Sequence, residues 1–593
     1  MTPTAHRIRT ATTVAALLAA AALAGPPTVS AATVPTVTGT TLTLTGDDAA
    51  DRVVIGEDAG NLTMTVNGGA PITDFGTGTL PANNTIDLVA NAGGGDDEIT
   101  ITTANLRSVT ADGGAGDDIL TGNNDADTLS GGEGDDRVIG ARGGDTMSGG
   151  NGNDTLVWNN GDGSDTMNGD GNTDEIEVNG AVTQADTFTV KPNPADLTRV
   201  RFDRLNLVAF NLNISAERIT VNGLGGDDSI TGEAGLAPLI AMTANGGTGA
   251  DTITGGDGAD LITGGDDADT LSGGGGDDRI VGDRGGDTMS GGDGDDTTVW
   301  NNGDGSDTMN GEAGLDRVEV NGAGAGDAFT IAPNAGRAKF DRTNLVPFTL
   351  DVSAEALDLR GLGGDDTFTA AAGTGALLAV TADGGSGNDT LTGADEADTF
   401  AGGSGNDSLT GGAGPDSLDG QDGNDALAAR DGQGDLVRGG AGTDSAQTDQ
   451  TTVDVVDGVE TLDALPGAAP ADNTATAASV RTRRANIAIR RGRASTRLSI
   501  ACPAAEAGGC VGTVTLVSAK PVRIGSARVI AVLGSARYSL RAGQRKTVKV
   551  GLAKGVRKLA VKKAISARAQ TVTRDAAGNV AVGSRAVSLR LPR

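Results

Sequence analysis

One carboxylate recurs in this chain at a spacing that could hold a cation. Between Gly246 and Val299 the sequence reads in nines: GGTGADTIT, GGDGADLIT, GGDDADTLS, GGGGDDRIV, GDRGGDTMS and GGDGDDTTV. The sixth position is always aspartate, at Asp251, Asp260, Asp269, Asp278, Asp287 and Asp296. The first is always glycine, and the eighth is aliphatic in five of the six units, at Ile253, Ile262, Leu271, Ile280 and Met289. A fixed period with one carboxylate and one apolar residue per unit marks a solenoid. Stacked units would set the carboxylates in rows, and rows of like charge repel. Such a stack needs a counter-ion, and a hard divalent cation with oxygen ligands supplies one; Ca²⁺ accepts irregular, flexible loops better than Mg²⁺ does.

The elements that would position these carboxylates follow from the same nine residues. Two or three glycines per unit rule out long helices, since each costs roughly 1 kcal/mol there. Triplets such as Thr252-Ile253-Thr254 suit a short strand with its middle side chain turned inward. The glycine-rich remainder makes the turn, with Gly allowing positive φ. One apolar residue in nine is too few for an ordinary core, so the eighth positions must line up inside a stack.

The same period appears in two other stretches. Five units from Gly113 to Val157 carry Asp118, Asp127, Asp136, Asp145 and Asp154; after Trp158-Asn159 breaks the frame, two more carry Asp165 and Asp174. Behind the opening stretch, Trp300-Asn301 breaks the frame again, and Asp307 and Asp316 follow. The third stretch holds Asp389, Asp398, Asp407, Asp416 and Asp425, then Asp435 and Asp444 in looser units. Units around Asp97, Asp228 and Asp366 stand apart from in-register neighbours. Several turns depart from the pattern: Ala141, Asp283 and Asp431 replace the second glycine, Asp125 and Asp267 the fourth, and Thr298 the aliphatic residue. Weaker or empty sites are expected there. Residues 137–180 match 279–322 closely, a large internal duplication.

These nonapeptides resemble the RTX (hemolysin-type) calcium-binding repeat, G-G-x-G-x-D-x-U-x with U a large aliphatic residue. The resemblance implies a parallel β-roll in which several Ca²⁺ ions lie between neighbouring turns, held by the sixth-position aspartates named above and by turn carbonyls. The fold class expected is therefore all-β: β-roll or β-solenoid blocks in tandem, β-rich spacers, and a C-terminal β-sandwich-like domain. An EF-hand is excluded, since its loop needs a twelfth-position Glu and flanking helices.

The ends of the chain differ from its middle. Residues 1–31 read as a secretory signal peptide, with Arg7 and Arg9 before an apolar run and small residues at Ala31-Ala32. Residues 33–91 form a β-rich cap, 92–177 a first repeat block, 178–222 a spacer, 223–319 a second block, 320–360 a spacer and 361–462 a third block with closing rungs. Residues 463–480 are a linker, and 481–593 a small basic β-sandwich-like domain. That domain holds 25 Lys and Arg against 2 Asp and Glu; the rest of the chain holds 20 against 77. It resembles basic β-domains at the C-termini of secreted actinobacterial proteins. Cys502 and Cys510 lie eight apart in a chain expected to be exported, which favours a local disulfide.

Removal of the signal peptide would take away His6, the sole histidine, and with it any Ser-His-Asp or Cys-His chemistry. Aromatic residues make up 2% of the chain, few with which to grip a sugar. The reading is a secreted, non-enzymatic, calcium-binding protein with an adhesion or scaffold role at a cell surface or in a matrix. Its basic domain would contact acidic cell-wall polymer or another surface protein; no nucleic-acid partner and no transmembrane segment in the mature chain are expected. The alternative is an extracellular enzyme that cleaves polymers with paired carboxylates on the solenoid face.

Overall fold

The computed structural model describes residues 35–38, 40–73, 82, 85–103, 106–449 and 453–464, and beyond them strand segments between 479 and 590. The expected signal peptide, most of the linker and Cys502, with its expected disulfide to Cys510, lie outside the described residues. Every regular element described is a strand, and no helix is long and apolar enough to cross a membrane. The chain divides into two compact units, Met1–Val178 with Phe210–Arg218, and Asn179–Ala209 with Ile219–Arg593.

In each unit the nonapeptides form a parallel β-solenoid. One nonapeptide gives one short strand and one turn, and successive strands go to opposite faces. Each strand therefore pairs not with the next but with the one after it. In the second unit Thr252–Gly256, Thr270–Gly275, Thr288–Asp293 and Thr308–Ala313 run parallel on one face. Leu261–Asp266, Arg279–Arg284, Thr297–Asn301 and Arg317–Asn321 do so on the other. The first unit repeats this with Ser108–Ala115, Asp127–Glu133, Thr146–Asn151 and Thr166–Gly171.

The register puts like on like. Ile253, Leu271, Met289 and Met309 face one another in consecutive rungs, each at most 1% exposed. Flanking residues of these strands point outward, which is the period-2 alternation of a half-buried strand. Stacking alone thus builds a core two side chains wide. Burying each aliphatic chain is worth roughly 1.5–3 kcal/mol, which a long stack can accumulate without aromatic bulk. Thr298, in an aliphatic position, is also buried, between Ile280 and Val318.

At both frame breaks the longer turn is filled by its tryptophan. Trp158 stacks on Phe210 at 3.9 Å between ring centroids and Trp300 on Phe348 at 3.8 Å. Each indole Nε1–H donates to a turn carbonyl, of Gly163 or Gly305, at 3.0 Å. These are packing plugs, buried and closed to ligands.

The spacers are not interruptions. In the second unit Phe348–Ser353 pairs in parallel with Thr308–Ala313, and Ala328–Asn334 with Thr367–Ala370. Arg337–Arg342 runs antiparallel between them. The spacer is one coil carrying an extra strand, and the opposite face continues unbroken through Arg317–Asn321, Ala356–Arg360 and Ala379–Ser386. Thr187–Asn193 and Asp196–Arg204 repeat the hairpin, with the first strand again parallel to a repeat strand, Ser229–Gly232. The expected N-terminal cap is built the same way: Thr41–Thr45 and Arg52–Asp58 pair in parallel with Asp87–Gly94 and Glu98–Ile101.

The C-terminal residues form a four-stranded and a five-stranded sheet around one apolar cluster, and a two-stranded sheet of Val522–Ile524 with Ala527–Val529. In the cluster, Leu498, Ile500, Val548 and Val550 come from the four-stranded sheet, and Val514, Leu516, Tyr538, Leu540, Ala567, Ala569, Val587 and Leu589 from the five-stranded one.

Leu271→Ala should cost about 2–5 kcal/mol, and Leu261→Ala, at a position 42% exposed, should stay within about 0.5 kcal/mol. Urea unfolding of the two variants in the same Ca²⁺ concentration checks the difference.

Candidate metal centre

The turn of residues 273–278 shows how the sequence aims a carboxylate. Gly274 and Gly276 take φ of 97° and 114°, a region that side chains other than Gly rarely enter. Gly273 has ordinary φ but no room: a Cβ there would collide with Oδ2 of Asp278 and with the carbonyl oxygen of Gly291 in the next coil. The first glycine of the repeat is thus a cradle, walled by one carboxylate oxygen and a main-chain carbonyl. Gly264 faces Asp269 and Gly282 in the same way, and Gly402 faces Asp407 and Gly420.

Asp278 itself is 3% exposed. Its Oδ1 accepts the amide of Asp260 at 2.8 Å, and its own amide donates to Oδ1 of Asp296, also at 2.8 Å. The pattern repeats down each edge of the solenoid. In the first unit one ladder runs Asp51, Asp97, Asp118, Asp136, Asp154, Asp174 and ends on Glu217. A second runs Asp127, Asp145, Asp165. In the second unit the ladders are Asp186, Asp228, Asp251, Asp269, Asp287, Asp307, and Asp260, Asp278, Asp296, Asp316, ending on Glu355. Two more follow: Asp327, Asp366, Asp389, Asp407, Asp425, Asp444 to Glu460, and Asp398, Asp416, Asp435, Asp454. At the fifth position an exposed row runs the opposite way, as from the Asp135 amide back to Asp117 and from Asn424 through Asn406 to Asn388.

All the aspartates singled out by spacing are therefore brought into ladders and buried. Oδ1 is used by the ladder at all but the first rungs Asp127, Asp260 and Asp398. Oδ2 is buried with no hydrogen-bond partner at all of them except Asp127, Asp165 and Asp398. Burying an unpaired polar atom costs roughly 1–3 kcal/mol, and a charged one more. A row of such atoms is what a cation would complete. Among the described residues no three carboxylates converge on one point. The donors are instead carboxylate oxygens beside main-chain carbonyls, an all-oxygen set of the kind Ca²⁺ takes.

At two turns the amide of position two closes Oδ2, and at others a replaced glycine leaves it open. At Ala141 (φ 64°) and Asp283 (φ 59°) position two is left-handed, and Oδ2 of Asp145 and of Asp287 is unpartnered; Asp431 is not left-handed, yet Oδ2 of Asp435 is unpartnered too. These substitutions keep the site, and the two left-handed ones store some backbone strain. Where position two is Asn123 or Ala394 it is not left-handed, and its amide donates to Oδ2 of Asp127 at 2.6 Å or of Asp398 at 3.1 Å.

Spacing hid several members. Asp97, Asp228 and Asp366, which stand alone in the sequence, have stacking partners at separations of 21, 23 and 23 residues, because one loop of their coil is longer. Asp51, Asp186, Asp327 and Asp454 were not singled out. Asp327 was readable, being sixth in Gly322–Thr330 (GAGAGDAFT) with Phe329 eighth. Asp186 was hidden by one extra turn residue after Gly180.

Burial dominates the electrostatics. It pushes the carboxyls of Asp136, Asp269, Asp278 and Asp287 up to about 7, with neighbouring aspartates adding to the rise and ladder amides opposing it. Asp145 and Asp435 are pushed to about 8. Without a cation these groups hold protons near neutrality.

The RTX calcium-binding nonapeptide repeat model matches residues 110–138, 121–156, 220–235, 243–271, 272–298, 381–409 and 402–436. The chain carries RTX calcium-binding repeats. No curated protein matches it. The match at 220–235 takes in Asp228, in agreement with its place in a ladder. RTX repeats imply calcium binding, and the open Oδ2 rows of this chain fit that ion.

A raised folded-state carboxyl pKa means that the folded chain binds protons more tightly than the unfolded one. Stability of the metal-free chain is then full below the ordinary value of 3.8 and lost as pH rises through about 6 to 8. The thermal midpoint in chelator should fall from pH 4 to pH 8, while the gain from added Ca²⁺ should grow. Scanning calorimetry across that range checks both slopes.

Proposed function

We propose that this is a secreted structural protein whose solenoid folds when several Ca²⁺ ions bind along its aspartate ladders. The observation that carries the reading is the repeated, buried, unpartnered Oδ2. The position-six aspartates, from Asp118 to Asp444, would hold the ions together with carbonyls of the first-position glycines, such as Gly291 beside Asp278. Bound Ca²⁺ supplies positive charge between carboxylates that otherwise repel or protonate. The chain does the rest. Left-handed second positions aim Oδ2 inward, Oδ1 and the amides fix the spacing of the rungs, and the aliphatic eighth positions keep water away. Binding is then coupled to folding and releases protons. Extracellular modules of this kind bind at roughly 10⁻⁴–10⁻³ M, so the solenoid would be unfolded in low-calcium compartments and rigid outside.

A non-catalytic role fits the same geometry, because the carboxylates that might work in pairs are buried and tied into ladders. An adhesion or scaffold role at a cell surface or in a matrix suits solenoid units stiffened by calcium. The C-terminal domain supports contact with an acidic polymer. Arg497 lies directly opposite Lys549 in its paired strands, both exposed, and like charges so placed are costly without an anionic partner.

Circular dichroism of the processed chain should show β-structure appearing with Ca²⁺ and lost to chelator; a chelator-insensitive fold would refute the reading. Asp278→Ala with Asp296→Ala should lower the number of ions bound, by calorimetry, and weaken the folding response by several-fold. Unchanged stoichiometry would count against the assignment of these residues.

A further inference from the structure

Two ladders in the second unit start on an aspartate that meets an arginine. Arg204 Nη2 lies 2.5 Å from Oδ1 of Asp186, and Arg342 Nε lies 2.8 Å from Oδ1 of Asp327. All four side chains are almost fully buried, the arginines at 2% and 3% exposed and the aspartates at 0%. Oδ1 is the atom that accepts an amide from the preceding coil at every later rung of these ladders. At these first rungs the guanidinium stands beside Oδ1 as an ion pair, without the alignment of a hydrogen bond. The second oxygen is hydrogen-bonded: Oδ2 of Asp186 accepts the Ala181 amide at 2.7 Å and Oδ2 of Asp327 the Ala323 amide at 2.6 Å. The amides of Asp186 and Asp327 then hand the ladder on to Asp228 and Asp366, both at 2.6 Å.

Each arginine is placed by the extra hairpin strand of its spacer. Arg204 ends the strand Asp196–Arg204 opposite Phe188, and Arg342 ends Arg337–Arg342 opposite Phe329. In each case the phenylalanine lies two residues after the aspartate and is buried. The Arg204 guanidinium sits 6.0 Å from the centre of the Phe188 ring, and Arg342 donates to Asn302 Oδ1 at 2.6 Å. Removing either member of such a buried pair leaves the other charge uncompensated, which is strongly destabilising. The same device occurs twice, at equivalent points of the two spacers.

We propose that Arg204 and Arg342 are built-in counter-cations that take the place of calcium at the first rungs. Asp186 and Asp327 are then closed to metal, and these two coils form without it. They give the calcium-dependent coils behind them a folded edge on which to stack. The inference rests on the reading that the later rungs need calcium. It explains why each spacer carries a hairpin at all: the hairpin brings the cation.

Hydrogen exchange of the full chain in chelator, read peptide by peptide, tests this. Segments around Asp186 and Asp327 should stay protected while those around Asp278 and Asp407 lose protection. Arg342→Gln should abolish protection around Asp327 in chelator, and Arg342→Gln combined with Asp327→Asn should restore it, since both charges are then gone. A variant that fails to fold would be told apart by that rescue. Equal loss of protection at Asp327 and Asp278 in the natural chain, or no change in Arg342→Gln, would overturn the proposal and leave the calcium reading intact. Full protection of Asp278 and Asp407 in chelator would instead overturn the calcium reading on which the proposal rests.

Discussion

The structure depends on a division of labour between the two oxygens of one carboxylate. Oδ1 belongs to the chain: it takes the amide of the aspartate one coil earlier and so sets the rise of the solenoid. Oδ2 belongs to whatever enters the turn. The ladder draws the aspartates together, and closeness without a cation is penalised by burial and repulsion, as the raised proton affinities record. The same contact that gives the coil its regularity therefore makes it conditional. A neutral residue such as Asn at position six could accept the ladder amide, yet it would remove the condition and the response with it.

The repeat was legible in the sequence because three independent demands fall at fixed positions. Gly273 is needed for space, Gly274 and Gly276 for backbone angle, and Asp278 for charge, with Ile280 closing the core. Few other folds ask for all of these in nine residues. The aliphatic eighth positions and the parallel, all-strand architecture followed from the period. What escaped was everything that depends on coil length rather than on unit length. Asp97, Asp228 and Asp366 are ordinary rungs reached across longer loops, and spacing cannot show that two residues 23 apart are stacked. The spacers read as separate modules because their strands lack the glycine turn, although Ala328–Asn334 and Phe348–Ser353 hold the parallel register on either side.

Departures from the consensus also proved uneven in their effect. Ala141 and Asp283 enter the left-handed region and leave their sites open, at the cost of backbone strain. Asn123 and Ala394 do not, and their amides occupy the oxygen that would otherwise face a ligand. Substitution of the same glycine thus has two outcomes, set by whether the amide of the replacing residue reaches Oδ2. The tryptophans at the frame breaks follow another logic. There the turn is longer, and Trp158 and Trp300 fill the added volume against Phe210 and Phe348.

Three ladders end on glutamate: Asp174 donates to Glu217, Asp316 to Glu355 and Asp444 to Glu460. The extra methylene lets the acceptor reach back from a coil that has no glycine–aspartate turn of its own. Each of these three series thus carries a full stop in its own covalent structure, and its number of coils is written in the chain rather than measured from outside. Insertion or loss of eighteen residues inside a series would change the count without touching its terminator, so solenoid stacks of many lengths are open to one simple kind of genetic change.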